Sequence, residues 1–171
     1  PCLSDDGTTL YFASNMPGGL GGFDIYVSTK TDGAWSKPTN LGNRVNSTGD
    51  EITPFYGNGL LWFASNGLEG MGGFDIYNSQ LTKDGYVTVK NADQAINTTA
   101  NEMFPMIKNL VIYFTSDKEG GKGKEDIYRC PVTSRNSTIE LDDVSPTLVK
   151  VIEDETPPSA YNLYAETYKR S

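Results

Sequence analysis

The chain repeats itself at a fixed step. Residues 10–28 read LYFASNMPGGLGGFDIYVS, residues 61–79 read LWFASNGLEGMGGFDIYNS, and residues 112–130 read IYFTSDKEGGKGKEDIYRC. Each copy starts 51 residues after the one before, and the first two share 13 of 19 positions. The register extends past these blocks: Val45-Asn46-Ser47-Thr48-Gly49-Asp50-Glu51 aligns with Ile96-Asn97-Thr98-Thr99-Ala100-Asn101-Glu102, and Pro54 aligns with Pro105. A unit of this size cannot bury an apolar face alone, so the copies must cover one another.

The unit parses into four short strands. Strand a covers about 52–56 and 103–107, and strand b about 9–14, 60–65 and 111–116. Strand c covers about 24–29, 75–81 and 126–130, and strand d about 34–38 and 86–90. In the middle copy strand b is nearly continuous in apolar residues (Leu60, Leu61, Trp62, Phe63, Ala64), as a strand covered on both faces should be. Asp6-Gly7 and Gly57-Asn58-Gly59 are hairpin signals between strands a and b. The pattern predicts an all-β fold, a partial β-propeller of about three four-stranded antiparallel blades over 1–50, 51–101 and 102–132, followed by an irregular tail over 133–171. Closed propellers use four to eight blades, so further blades before Pro1 are expected. Pro131 is expected to stop strand c early, and Ser137–Leu141 to supply a strand d. The tail then echoes the repeat at Asp154-Glu155-Thr156-Pro157-Pro158 and Leu163-Tyr164-Ala165, as a degenerate closing unit or as a linker.

Composition narrows the partners. A net charge of −8, with 14 Lys and Arg against 22 Asp and Glu, is the wrong sign for a nucleic-acid or anionic-lipid surface. No apolar run is long enough to span a bilayer as a helix. The chain has no histidine, and Cys2 and Cys130 match neither a disulfide framework nor metal-ligand spacing.

The loop between strands b and c is the most distinctive element. Its glycines (Gly18, Gly19, Gly21, Gly22 in the first copy) could point several N–H groups at an anion. No helix follows, so it is not a dinucleotide fingerprint. Recurrence in every copy favours a tight connection whose Asp24, Asp75 or Asp126 caps loop amides, with Asn15, Asn66 and Asp117 opening the loops and Tyr26, Tyr77 and Tyr128 in strand c as repeat-defining positions. If the loops bind a partner, the candidates are the aromatic pair Phe23 and Phe74, or Lys124 and Glu125, which replace Gly-Phe in the third copy. Calcium would find one carboxylate per loop, two in the third with Asp117, so no metal or cofactor site is assigned. No acid pair, histidine or nucleophile motif is singled out, so no catalytic residue is assigned either. Asn46, Asn97 and Asn136 open N-x-[ST] triplets, and the repeat equivalence of the first two gives them a turn role.

The string Gly33-Ala34-Trp35-Ser36…Asn40-Leu41-Gly42…Val45-Asn46-Ser47…Asp50-Glu51…Pro54, followed by Leu-x-Phe-x-Ser-Asn…Gly-Gly-Phe-Asp-Ile-Tyr, resembles the WD40-like (PD40, TolB-type) propeller repeat. It looks most like the version in bacterial envelope proteins that carry a C-terminal OmpA-like domain, common where gliding or type IX secretion occurs. The likeness covers residues 1 to about 130 and is weakest in the third copy. It implies a periplasmic, outer-membrane-associated scaffold that binds protein partners and reaches peptidoglycan only through a domain outside this chain. The alternatives are a carbohydrate-binding or glycan-processing propeller and a TolB-like periplasmic adaptor.

Overall fold

A computed structural model describes residues 1–82, 85–86, 89–135, 138–141 and 146–148. Within them the chain is all-β, with one 3₁₀ turn at Gly42–Arg44. Three antiparallel sheets follow one another along the chain. The first contains β1 (Cys2–Leu3), β2 (Thr9–Ser14), β3 (Asp24–Thr31), β4 (Ala34–Trp35) and β5 (Thr39–Asn40). The second contains β6 (Glu51–Gly57), β7 (Leu60–Ser65), β8 (Asp75–Thr82), β9 (Gly85–Tyr86) and β10 (Lys90–Asn91). The third contains β11 (Glu102–Lys108), β12 (Val111–Ser116), β13 (Asp126–Arg135), β14 (Thr138–Leu141) and β15 (Thr147–Leu148).

Strands a and b, and the starts of strand c, fall where the repeat placed them. Strand d does not. In the first two sheets it is split into two dipeptides, one pairing with the far end of strand c (Lys30↔Trp35, Leu81↔Tyr86) and one with its start (Tyr26↔Asn40, Tyr77↔Asn91). Such a short, interrupted outer edge gives a foreign strand little backbone to pair with. Pro131 does not stop strand c: β13 runs on to Arg135. β15 pairs at Tyr128 and Arg129 and β14 from Val132 onward, so Pro131 lies in the gap between them, where its missing N–H costs no ladder bond. Of the expected last strand d, Thr138–Leu141 forms β14. Asn136, Ser137 and the echo at 154–165 lie outside the described residues.

Phe12, Phe63 and Phe114 occupy matching places, opposite Tyr26, Tyr77 and Tyr128. The three ring pairs sit 6.0, 6.1 and 6.0 Å apart at interplanar angles of 23°, 24° and 25°. A bulge recurs too. Register shifts between Ile52 and Phe55 and again between Met103 and Met106, and the residue before each proline, Thr53 or Phe104, takes a φ of 51° or 54°. The Phe104 N–H donates to Thr53 Oγ1 (3.2 Å), tying the two bulges together across sheets.

The sheets stack. β6 lies against β1, β2 and β3, and β11 against β6, β7 and β8. Between the first and second sheets lie Tyr11, Ile25, Val45, Leu61, Phe63 and Tyr77; between the second and third lie Trp62, Ile76, Ile96, Ile112, Phe114 and Tyr128. The middle sheet is covered on both sides, and every residue of β7 is buried.

Candidate interaction rim

One edge of the stack collects the three b–c loops (15–23, 66–74, 117–125) and the two connecting segments (46–51 and 97–102) that lead into the next sheet. Their contacts show what the repeated polar residues do. Asp24 Oδ2 accepts the Leu20 N–H (2.7 Å) and the Asn40 amide (3.2 Å). Asp75 Oδ2 accepts the N–H groups of Met71 and Gly72 (2.9 and 3.1 Å), and Asp126 Oδ2 those of Lys122 and Gly123 (2.6 and 3.1 Å). Each aspartate therefore closes its own loop. The second carboxylate oxygens of Asp24 and Asp75 are buried without a protein partner.

The connecting segments clamp the preceding sheet. Asn46 Oδ1 accepts the Ile25 N–H (2.8 Å) while its Nδ2 donates to the Ile25 carbonyl (3.0 Å) and to Asn40 Oδ1 (2.8 Å). Asn97 does the same to Ile76 and Asn91, at 2.8, 2.9 and 2.8 Å. Both asparagines are buried, so their sequons are structural amides. Glu51, wholly buried, accepts from the Ser47 N–H and from the hydroxyls of Ser47 and Ser65; Glu102 repeats this with Thr98 and Ser116. Buried carboxylates and amides persist only when satisfied in this way.

Close approach explains two of the glycines. A Cβ on Gly21 would lie 1.9 Å from the Gly49 carbonyl, and one on Gly72 would lie 2.0 Å from that of Ala100. A side chain there would push the connecting segment off the loop. From each segment the relay passes to the next loop. The Asp50 N–H donates to Asn66 Oδ1 (2.7 Å), and the Asn101 N–H to Asp117 Oδ1 (2.7 Å). Asn101 holds the Asp117 carboxyl below the usual carboxylate range, because its side-chain and backbone N–H groups both favour the anion.

No protein-family model matches this chain, and no curated protein does either. Phe23 is 42% exposed and Phe74 half-buried, and in both the backbone rather than the ring is engaged. The Phe23 N–H donates to Asp50 Oδ1 and its carbonyl accepts from the Glu51 N–H; Phe74 bonds Asn101 and Glu102 likewise. Asn15, Lys124 and Glu125 are exposed. Tyr26, Tyr77 and Tyr128 are buried, and burial pushes the Tyr77 hydroxyl up to about 12. Tyr26 and Tyr77 donate to loop carbonyls of Met16 and Glu69. Sequence reasoning missed the clamps Asn46 and Asn97 and the carboxylates Glu51 and Glu102. Their one signal is alignment at the repeat step. It also missed Leu20 and Met71, which stand 42% and 43% exposed on the loop tips while their backbone N–H groups donate to Asp24 and Asp75. Among the described residues no group of three or more His, Cys, Asp or Glu is gathered.

Proposed function

We propose that this chain is a section of a WD40-like β-propeller that acts as a non-catalytic protein-interaction scaffold in a bacterial cell envelope, periplasmic and associated with the outer membrane. The observation that carries the reading is the division of labour at the rim. The aspartates, asparagines and glutamates that recur are spent on backbone groups and neighbouring hydroxyls, which leaves the loop tips to differ: Leu20 with Phe23, then Met71 with Phe74, then Lys122 with Lys124 and Glu125. A hydrogen-bonded frame with interchangeable tips suits recognition of protein surfaces. The repeated stacking of antiparallel sheets built on the same strand order supports the propeller, since each sheet hides the face of its neighbour as blades do.

Cross-linking mass spectrometry on envelope extracts tests this. Cross-links should concentrate on lysines flanking the rim and fall at least several-fold when Leu20, Phe23 and Met71 are all changed to serine. Turnover of a glycan substrate, or cross-links unaffected by the triple change, would reject the scaffold.

A further inference from the structure

The chain contains the pairs Asn58-Gly59 and Asn66-Gly67, and both are exposed. An asparagine followed by glycine can react with its own backbone. The glycine nitrogen attacks the side-chain carbon, ammonia leaves, and a succinimide ring closes. Water then opens the ring to an aspartyl or an isoaspartyl residue, which is one reason asparagine counts among the thermolabile residues. The reaction needs a free side-chain amide, a free glycine N–H and room for the peptide between them to rotate. In sequence and in exposure the two pairs stand equal.

Hydrogen bonding separates them. Asn66 opens the second rim loop, and its amide is held at both atoms: Oδ1 accepts the Asp50 N–H (2.7 Å) and Nδ2 donates to Asp50 Oδ2 (3.4 Å). Its own N–H donates to the Asp50 carbonyl (3.2 Å). The Gly67 N–H, which would have to attack, donates to Ser65 Oγ (3.1 Å). The connecting segment also lies on this glycine, since a Cβ there would collide with Ser47 Oγ and the Gly49 backbone. Rotation at Asn66 would break these bonds and displace that segment.

Asn58 has none of these restraints. It stands with Gly59 at the tip of the β6–β7 hairpin, at the opposite end of the strands from the rim loops. Among the described residues neither the Asn58 side chain nor the Gly59 N–H is hydrogen-bonded. A Cβ on Gly59 would find nothing within 4 Å. The two residues turn with φ of 53° and 78°, and the Gly57↔Leu60 pair closes the turn. The Gly59 nitrogen reaches the side-chain carbon after rotation about the Asn58 Cα–C bond. Fraying of that last pair allows the rotation.

We propose that Asn58 is a site of spontaneous deamidation in the folded chain, while the packed rim protects Asn66 from the same reaction. The two products differ in consequence. An aspartyl residue keeps the turn, since Asp-Gly suits it as Asn-Gly does. An isoaspartyl residue adds a methylene to the main chain between Gly57 and Leu60, where the buried strand β7 begins. Either product adds a negative charge to a chain already at −8, away from the rim.

Peptide mapping by mass spectrometry tests this on the full chain aged at mildly alkaline pH, with electron-transfer fragmentation to tell aspartyl from isoaspartyl. A parallel sample is aged in guanidinium chloride, where Asn58 and Asn66 should convert at similar rates. In the folded chain Asn58 should convert more slowly than in denaturant, yet about tenfold or more faster than Asn66, because fraying a turn costs far less than displacing a packed segment. Equal rates at the two sites in the folded chain overturn the proposal, as does faster conversion of Asn66. So does an unmodified Asn58 after the interval that converts it fully in denaturant. The isoaspartyl fraction should unfold at a lower temperature than Asn58→Asp, which reproduces the aspartyl product. Identical unfolding of the two would overturn the consequence assigned to the added methylene.

Discussion

The interface between the first and second sheets and the one between the second and third use the same positions with different chemistry. Asp50 faces Asn66 in one, and Asn101 faces Asp117 in the other, so carboxylate and amide have changed places across the contact. Tyr11 in the first interface becomes Trp62 in the second, and Val45 becomes Ile96. The clamp asparagine and the buried glutamate are unchanged. The difference separates two kinds of contact. A side chain that must both donate to and accept from one residue's backbone, as Asn46 and Asn97 do, is confined to an amide. Side chains that only accept a backbone N–H, as Asn66 and Asp117 do, or that only fill volume, can be exchanged as long as donor still faces acceptor and the volume is filled.

Breaking the apolar part should have the largest effect. Ile76→Ala leaves a cavity between sheets and should cost about 2–5 kcal/mol, while Ile127→Ala, at the same register position in the third sheet but 51% exposed, should cost under about 1 kcal/mol. Urea unfolding of the two variants checks this, and equal losses would mean that Ile127 is covered in the folded chain. Next comes the clamp. Asn97→Ala leaves the buried Ile76 N–H without a partner, while the Ile76 carbonyl keeps the Ala92 N–H, and should cost about 1–3 kcal/mol; Asn97→Asp should recover less than half, since a buried carboxylate accepts from the N–H but cannot donate to the carbonyl or to Asn91 Oδ1. Thermal unfolding of both variants measures it.

The turns between strands a and b sharpen the comparison in the stabilising direction. Asn58 and Gly59 turn with φ of 53° and 78°, whereas the third copy forces Asn109 and Leu110 to 53° and 58°. Leu110 is 48% exposed, so it gains little from packing to offset a left-handed backbone. Leu110→Gly should stabilise by about 1 kcal/mol, read as a rise in the unfolding temperature.

The smallest expected effect concerns pH. Asp117 has a folded pKa below its unfolded value, so its contribution to stability is complete above the ordinary carboxylate range and is lost as pH falls through the lowered folded pKa. The Asp117→Asn variant should therefore show a shallower loss of stability on acidification than the wild type. Asp6 sets a background common to both: hydrogen bonds from Ser4 and Thr8 hold it at about 2. Parallel acid titrations of the two proteins check this, and superimposable curves would count against it.

The local parts of the fold were legible in the chain. Strand b of the middle copy announced its two-sided burial by unbroken apolar residues, and the Asp closing each loop could be inferred from its place after the glycines. The split of strand d could not, since Trp35 and Asn40 carry no sign that they pair with opposite ends of one strand. Thr53 and Phe104 gave no warning of a left-handed backbone, because neither residue type favours it. Asn46 and Asn97 resembled sequons, and their function as clamps depends on Ile25 and Ile76, each 21 residues away.

The sequence by itself determined the repeat step, the place of strand b, the start of strand c, and the two-sided burial of strand b in the middle copy. Those follow from side-chain alternation and turn chemistry, which act over a few residues. Only the tertiary structure decided that Ile25 and Ile76 are buried while the equivalent Ile127 is half-exposed, and which buried amides and carboxylates hold one sheet to the next. Burial and hydrogen-bond satisfaction belong to pairs of segments, so identical residues take different roles according to whether a neighbouring sheet is present.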